Sequence, residues 1–217
     1  MAAIVAAAPV SAIASNTDIA SETVAACQSI TDMATLTDAV ITIGWTPSVP
    51  ADLDDRAIQS YAATLLSDQF GFGDVPDPRI AKTWELALKN AAGVRNLKIV
   101  DGTQKKDRWF VLEHSGSILR VDSFEHETFG QVNCVIALKD GDSPISFQKL
   151  LGDSGRDPQK LPPVYRLRPQ SFESDGLKRS LNGAILNIER ISAVSGTEVD
   201  VSSVYSSYAV TQPEISE

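Results

Sequence analysis

The chain is poor in cysteine, in aromatic residues and in long apolar runs. Only two of its 217 residues are cysteine, and aromatic residues make up 6%. Two thiolates cannot hold a structural zinc ion by themselves, and no further ligand lies at metal-binding spacing, so we expect no metal site. No apolar run approaches the roughly 20 residues that a membrane-spanning helix needs, so we expect no membrane span.

The sequence signatures of several enzyme classes are also missing. There is no Gly-x-Gly-x-x-Gly, no phosphate-binding loop ending in Gly-Lys, no Cys-x-x-Cys and no His-Glu-x-x-His. Nucleotide binding, thiol redox chemistry and zinc proteolysis therefore lack their usual marks, and we expect no cofactor. The net charge of -9 gives a surface that repels phosphate backbones, which argues against nucleic-acid binding.

Charge is absent from the N-terminus, where the first charged residue is Asp18. Residues 1–14 are small and apolar and resemble the apolar region and cleavage site of a secretory signal, although a positively charged start is missing. We interpret them as a signal-like segment, with a helical or disordered alanine-rich N-terminus as the alternative. The first interpretation predicts a periplasmic or secreted protein, and the second leaves a cytoplasmic one open. The single predicted domain covers 15–210, and 211–217 form a tail.

Export gives the two cysteines, Cys27 and Cys134, a simple use. In an oxidising compartment two cysteines are most simply paired, whereas in the cytosol they would be two buried thiols. A disulfide between them would close a loop of about 107 residues, which in the chain-entropy treatment stabilises a fold by roughly 4 to 5 kcal/mol. We predict this disulfide, which would hold an early helix against a strand in the middle of the chain.

Helical spacing of apolar residues dominates the first part of the chain. Residues that can accept a hydrogen bond from a free backbone N–H group precede four apolar stripes. The four predicted helices begin at Thr17, Thr31, Asp54 and Asp77. Gly44 is expected to end the second helix, because glycine readily adopts the backbone conformation that follows a last helical turn.

From residue 95 onward the apolar residues alternate, as is typical of strands. The predicted strands are 97–100, 107–114, 117–124, 131–139, 184–194 and 198–208. In the first hairpin one face is apolar, and the opposite face, with Trp109, Arg120 and Asp122, is wetter. Helices followed by strands predict an α+β fold, in which N-terminal helices pack on an antiparallel sheet formed mainly by residues 95–208.

Cys27, the pair Gly44-Trp45 and Cys134 in a predicted strand form a recognisable arrangement. It resembles a loose set of exported, uncharacterised proteins of alphaproteobacteria, over roughly the first two thirds of the chain. The resemblance implies a periplasmic setting and implies no particular activity.

One basic region stands out in this acidic chain and is the best candidate for a binding surface. If residues 164–168 are extended, two arginines share one face and Tyr165 lies on the other. The candidate residues are Tyr165, Arg166, Arg168, Lys178 and Arg179. Such a cluster would bind an anionic small molecule or an acidic surface of a partner protein. The alternative is that neighbouring aspartates and glutamates neutralise it.

Gly152-Asp153-Ser154-Gly155 matches the stretch around the nucleophile of chymotrypsin-like serine proteases. That chemistry needs a base beside the serine, and both histidines precede Ser154 as the family order requires. However, neither histidine has the family's Ala-His-Cys context, and Arg156 replaces the next glycine. We therefore predict an exported, soluble binding protein without catalytic activity and with an unknown ligand. The alternatives are a hydrolase using Ser154 with a histidine, and a structural subunit of an envelope or particle assembly.

Overall fold

Five α-helices and eight strands are formed by the residues that the computed structural model describes, which are 18–69, 77–102, 104–127, 129–142, 162–174 and 176–211. The helices are α1 (Ile19–Ser29), α2 (Met33–Ile43), α3 (Asp55–Asp68), α4 (Asp77–Gly93) and α5 (Ile188–Ser195). The strands are β1 (Thr46–Ser48), β2 (Lys105–Leu112), β3 (Ser117–Glu125), β4 (Gly130–Lys139), β5 (Val164–Arg166), β6 (Gln170–Ser174), β7 (Leu177–Leu186) and β8 (Val201–Thr211).

The strands form one sheet in which every pair is antiparallel. The order across the sheet is β1-β2-β3-β4-β8-β7, and β5 and β6 both pair with the outer edge of β7. The predicted α+β fold with helices packed on an antiparallel sheet is therefore confirmed. Among the helices of the described residues, none combines the length and apolar character that crossing a membrane requires.

Three helices begin at an aspartate whose carboxylate accepts a hydrogen bond from a backbone N–H group of the first turn. These aspartates are Asp18, Asp32 and Asp54. Each satisfies a donor that has no partner within its helix. Asp32 therefore caps α2 in place of the predicted Thr31. Asp18 caps α1 in place of Thr17, which lies outside the described residues.

The predicted strand at 97–100 is wrong. Residues 94–96 form a 3₁₀ turn after α4, and the following residues pair with no strand in the described part of the chain. Leu97 and Val100 are 56% and 84% exposed, and within 97–100 only Ile99 packs against the apolar core. An alternating sequence becomes a strand only where a neighbouring strand can share its backbone hydrogen bonds.

The predicted strand at 184–194 is also wrong in its second half, which forms α5. The side chain of Asn187 accepts a hydrogen bond from the first turn of this helix, and Gly196 ends it with a φ of 68°. Ile191 is fully buried against α3 and α4. These helix signals outweigh the β-branched residues that favour a strand. Conversely, β1, β5 and β6 are short strands that lie outside the predicted strand ranges.

One face of the sheet is covered by α1 and α2. It carries the apolar side chains that the alternation predicts, all at most 1% exposed: Phe110, Leu112, Leu119, Val121, Val132, Cys134, Ile136 and Leu138. The predicted pairing of Cys27 with Cys134 is confirmed, because their sulfur atoms lie at bonding distance and their Cα atoms 6.1 Å apart. The bond joins α1 to β4 inside this core.

The other face of the sheet is covered at the end nearest the β2–β3 loop by α3, with α4 packed against α3 and α5. Here Trp109, Ile118, Ala137 and Val204 are buried in a second apolar core. The face predicted to be wetter is therefore dry at this end. It is polar only farther along the strands.

α3 is tied to the loop between β2 and β3. The predicted hairpin is confirmed, although its loop has four residues, 113–116, rather than two. The hydroxyl of Ser60 donates to the carbonyl oxygen of Gly116 over 2.7 Å, and Arg56 donates to two other carbonyl oxygens of the loop. Gly116 has a φ of 84°, and a Cβ added there would lie 2.6 Å from the Cβ of Arg56. Only glycine fits both constraints.

Removal of the disulfide should destabilise the fold strongly. We expect the double variant Cys27→Ala/Cys134→Ala to lose about 4 kcal/mol of unfolding free energy, because the bond spans 107 residues. Guanidinium unfolding followed by circular dichroism measures the change. Wild-type protein refolded under reducing conditions is the control and should match the double variant. A loss of under about 1 kcal/mol would contradict the stabilising role that loop closure predicts.

Gly116→Ala should be more destabilising than Gly176→Ala. Both glycines have positive φ, at 84° and 69°, but a Cβ at Gly176 would meet no atom within 4 Å. The control therefore costs only the backbone strain of about 1 kcal/mol, whereas Gly116→Ala also forces α3 away from the loop. Thermal unfolding of the two variants compares them. Equal losses of stability in the two variants would mean that Arg56 and α3 move aside for the added methyl group without a measurable cost.

Candidate functional site

Two of the predicted binding residues, Arg166 and Arg179, contact helix ends. Arg166 donates from Nη1 to the carbonyl oxygen of Ser67 in the last turn of α3, over 2.6 Å. Arg179 donates from Nε to the carbonyl oxygen of Gln28 in the last turn of α1, over 2.7 Å. Carbonyl groups at these positions lack partners within the helix and carry partial negative charge. Both arginines therefore stabilise helices, on opposite faces of the sheet.

The structure does not bring the five predicted basic-region residues into one cluster. Tyr165 packs against the core beneath α1 and α2, on the same face as Arg179. Lys178 is exposed and lies on the opposite face, as Arg166 does. Arg168 is exposed in the gap between β5 and β6. The basic region is therefore divided between the two faces and the outer edge of the sheet.

A row of polar side chains crosses six strands on the α3 face of the sheet. Its members are direct cross-strand neighbours, one from each of β2, β3, β4, β8, β7 and β6. We call it the polar row, and it consists of Asp107, Asp122, Asn133, Tyr208, Ser180 and Ser171. The sequence alone does not show this row, because it depends on the pairing of strands that are distant in sequence.

The polar row lies beyond the part of the sheet that α3 covers. Its members are half-buried, apart from Ser171, which is exposed. At the same level on the opposite face, Ser123, Val132 and Ala209 are 1%, 0% and 0% exposed. The sheet is therefore sealed on one face and accessible to solvent on the other at this level.

One of the two carboxylates in the polar row is paired with an arginine of the neighbouring row. The guanidinium of Arg120 contacts both carboxylate oxygens of Asp107, at 3.3 and 3.0 Å, and lies 5.4 Å from the ring centroid of Trp109. Burial by itself lowers the pKa of Arg120, but the hydrogen bond and charge of Asp107 outweigh it, so the net pKa is raised. The pair forms a fixed, bidentate ion pair on this surface.

The central part of the polar row is linked by side-chain hydrogen bonds. The side-chain amide of Asn133 donates to Oδ2 of Asp122 over 3.0 Å. The hydroxyl of Tyr208 donates to Oε1 of Gln131 over 3.4 Å, which is a long and weak contact. These bonds leave further donors and acceptors of the amides and hydroxyls available, because each such group can form several.

A second row lies between the polar row and the end of α3. Here Ser206 pairs across the sheet with Asn182, and both line a shallow hollow together with Asp68 and Arg166. Burial of the carboxylate raises the pKa of Asp68, although the residue as a whole is exposed. The positive charge of Arg166 opposes this rise. The end of α3 therefore borders the polar surface with a carboxylate and a guanidinium.

A separate polar cluster lies at the opposite end of the sheet, around the β2–β3 loop. Nε2 of His114 is 2.8 Å from Oδ1 of Asp142, and the hydroxyl of Ser117 donates to Oδ2 over 2.6 Å. The imidazole is 64% exposed, whereas the carboxylate is only 7% exposed. Close by, the buried ammonium of Lys139 pairs with Asp200. A buried carboxylate thus holds an exposed imidazole in one orientation.

A catalytic base also needs a nucleophile within hydrogen-bond reach. Ser154, the predicted nucleophile, lies outside the described residues, so the hydrolase alternative stays a prediction. The other histidine, His126, stacks on Phe129 with ring centroids 5.2 Å apart. Within the described ranges, no group of three or more His, Cys, Asp or Glu side chains is placed to hold a metal ion.

Asp142 should make the stability of the fold depend on pH. Burial raises the pKa of Asp142, but hydrogen bonds from Ser115, Ser117 and His114 outweigh burial and leave the pKa below its ordinary value of 3.8. A carboxyl group with a depressed folded-state pKa stabilises the fold above the unfolded pKa, and this contribution is lost as pH falls through the folded pKa. The effect therefore lies in the acidic range below about pH 5.

We expect Asp142→Asn to lose about 2 kcal/mol at pH 7, the scale of hydrogen bonds to a charged group. The difference from wild type should shrink below pH 3.8. Urea unfolding at several pH values measures it. The control is Asp140→Asn, an exposed neighbour in the same turn, which should follow the wild-type profile. If the difference in unfolding free energy between wild type and Asp142→Asn stays constant down to pH 2, the ionised carboxylate of Asp142 is not the source of the pH dependence.

Comparison with known proteins finds no match to this chain. No family model matches the sequence, no curated protein matches it, and no solved structure matches the fold. The function is therefore argued from the geometry of the chain's own residues. Among the described residues, the polar row and the His114–Asp142 cluster are the polar arrangements considered for a function.

Proposed function

We propose that the protein is an exported binding protein that acts without catalysis and docks its ligand or partner on the polar row. One observation carries the proposal. At the level of the row, Ser123, Val132 and Ala209 on one face of the central strands β3, β4 and β8 are at most 1% exposed, while the other face presents half-buried polar side chains from five strands. Polar surfaces on a rigid sheet hold hydrogen-bonding groups in fixed positions, which favours recognition.

Export is supported by two features. The signal-like residues 1–14 precede the first helix, and the bond between Cys27 and Cys134 is buried in the core that α1 shares with the sheet. Disulfides persist in oxidising compartments and are rare in the reducing cytosol. A periplasmic or secreted location is therefore the one that fits, and a cytoplasmic location is the alternative. Cell fractionation of the native host distinguishes the two.

The basic residues differ in whether they are available to bind a ligand or are used to stabilise a helix. Lys178 lies on the same face as the polar row, two residues along β7 from its member Ser180, and Arg168 is exposed at the outer edge. Lys178 lies directly opposite Glu173 of β6, so Arg168, outside the row, is the better placed of the two to attract an anionic ligand or an acidic partner. By contrast, charge reversal of Arg166 or Arg179 would loosen α3 or α1, so loss of binding in those variants would not identify a binding surface.

Two other functions remain alternatives. A hydrolase would use Ser154 with a histidine, and His114 is the histidine that a buried carboxylate orients. A structural subunit of an envelope or particle assembly would instead form large oligomers. Ester hydrolysis that disappears in Ser154→Ala would support the first, and a high-mass species in gel filtration of the pure protein would support the second.

Blocking the polar row should abolish ligand capture. Disulfide-intact protein is immobilised and exposed to periplasmic extract of the native host, and retained proteins and small molecules are identified by mass spectrometry. Ser180→Arg/Ser206→Arg places one bulky side chain in the polar row and one in the second row beside it, and each can extend into solvent without disrupting the core. We expect this variant to retain at least tenfold less of the ligand than wild type.

The control for this experiment is Asn90→Arg, which adds the same side chain to the exposed side of α4. It should retain the ligand as wild type does. Circular dichroism verifies that all three proteins are folded. If the blocked variant retains the same components in the same amounts as wild type, the polar row is not the docking surface.

A further inference from the structure

We infer that the ligand of the polar row is a neutral oligosaccharide that lies across the strands. This inference rests on the proposed function and names the chemical class of its ligand. It is drawn from the charge, the hydrogen-bonding groups and the length of the row.

The charged groups of the polar row are already engaged by neighbouring side chains. Arg120 is held by Asp107 through two hydrogen bonds, and the carboxylate of Asp122 accepts from the amide of Asn133. An anionic polymer would need arginines or lysines free to contact its charges, whereas the central arginine of this surface is already in a bidentate pair. A cationic ligand would in turn compete with that arginine for Asp107. The surface therefore favours a ligand without charge.

The remaining groups of the surface both donate and accept hydrogen bonds. Asn133 and Asn182 carry amides, and Ser180, Ser206 and Tyr208 carry hydroxyls. Each amide offers two donors and an acceptor, and each hydroxyl offers one donor and two acceptor lone pairs. Sugar hydroxyls have the same dual character, so they can pair with every one of these groups without leaving a donor or an acceptor unmatched.

The shape of the row selects an extended ligand. Its six members stand on six adjacent strands, which at a spacing of about 4.8 Å gives a length of about 24 Å. Tyr208 lies near the middle, and its hydroxyl reaches toward Gln131, the diagonal neighbour on β4. Tyr208 is half-buried, and an aromatic face with negative π density attracts the C–H groups of a sugar ring.

Other extended ligands fit this surface less well. An extended peptide gains most of its affinity by pairing its backbone with a sheet edge, whereas the polar row lies on a face. An apolar helix would bury these amides and hydroxyls without partners, which costs free energy for each group. A second copy of this chain would place Asp107 and Asp122 against an equally polar surface.

The test titrates ¹⁵N-labelled protein with three neutral hexasaccharides: cellohexaose, maltohexaose and chitohexaose. Amide shifts locate the site, and their concentration dependence gives the Kd. We expect at least one hexasaccharide to shift amides of β4, β7 and β8, and to bind at least tenfold more tightly than its monosaccharide. Asn133→Ala/Asn182→Ala should weaken that binding at least tenfold. Asn90→Ala, the same change on α4, should leave it unchanged.

Three outcomes would overturn the inference. The first is that no hexasaccharide shifts these amides, and the second is that the double variant binds as wild type does. The third is that inorganic hexametaphosphate shifts them in place of the sugars, in which case the proposed binding function would stand with an anionic ligand. Gel filtration at several protein concentrations is run in parallel, and self-association through this face would contradict both the oligosaccharide and the proposed docking surface.

Discussion

The covalent link between Cys27 and Cys134 determines which face of the sheet is closed. It fixes α1 over β4, and the surrounding apolar side chains of β2, β3, β4 and β8 then exclude water from that face. Both cysteines are fully buried, so the core shields from solvent the disulfide that stabilises it. The fold has few aromatic residues, and the disulfide adds to the stability that it gains by burying apolar side chains.

The opposite face is closed only at one end. α3 is anchored there by the glycine at the β2–β3 loop and by Ser60, and it terminates where Arg166 meets its last turn. Beyond that point the sheet carries side chains that form ion pairs and amide contacts rather than apolar packing. The boundary between the dry core and the polar surface therefore follows the length of one helix, and that length sets the area of the polar surface.

Local features of this fold could be predicted from the sequence, and long-range ones could not. The alternation at Phe110, Leu119 and Cys134 identifies the buried face of the central strands, because neighbouring residues in a strand point to opposite sides. α5 is missed because its β-branched residues imitate a strand, although Asn187 and Gly196 carry the helix signals. The polar row was beyond prediction, since its members become neighbours only through pairings between distant strands.

The two arginines that complete α1 and α3 come from much later in the chain, separated from their acceptors by 151 and 99 residues. Neither helix terminus can gain this partner until β5 and β7 have joined the sheet. Contacts of such long range slow the search for the native state. The N-terminal helices therefore remain incompletely secured while the chain is being synthesised. Completion of these two helix ends therefore follows the synthesis of Arg166 and Arg179, although the helices themselves are made first.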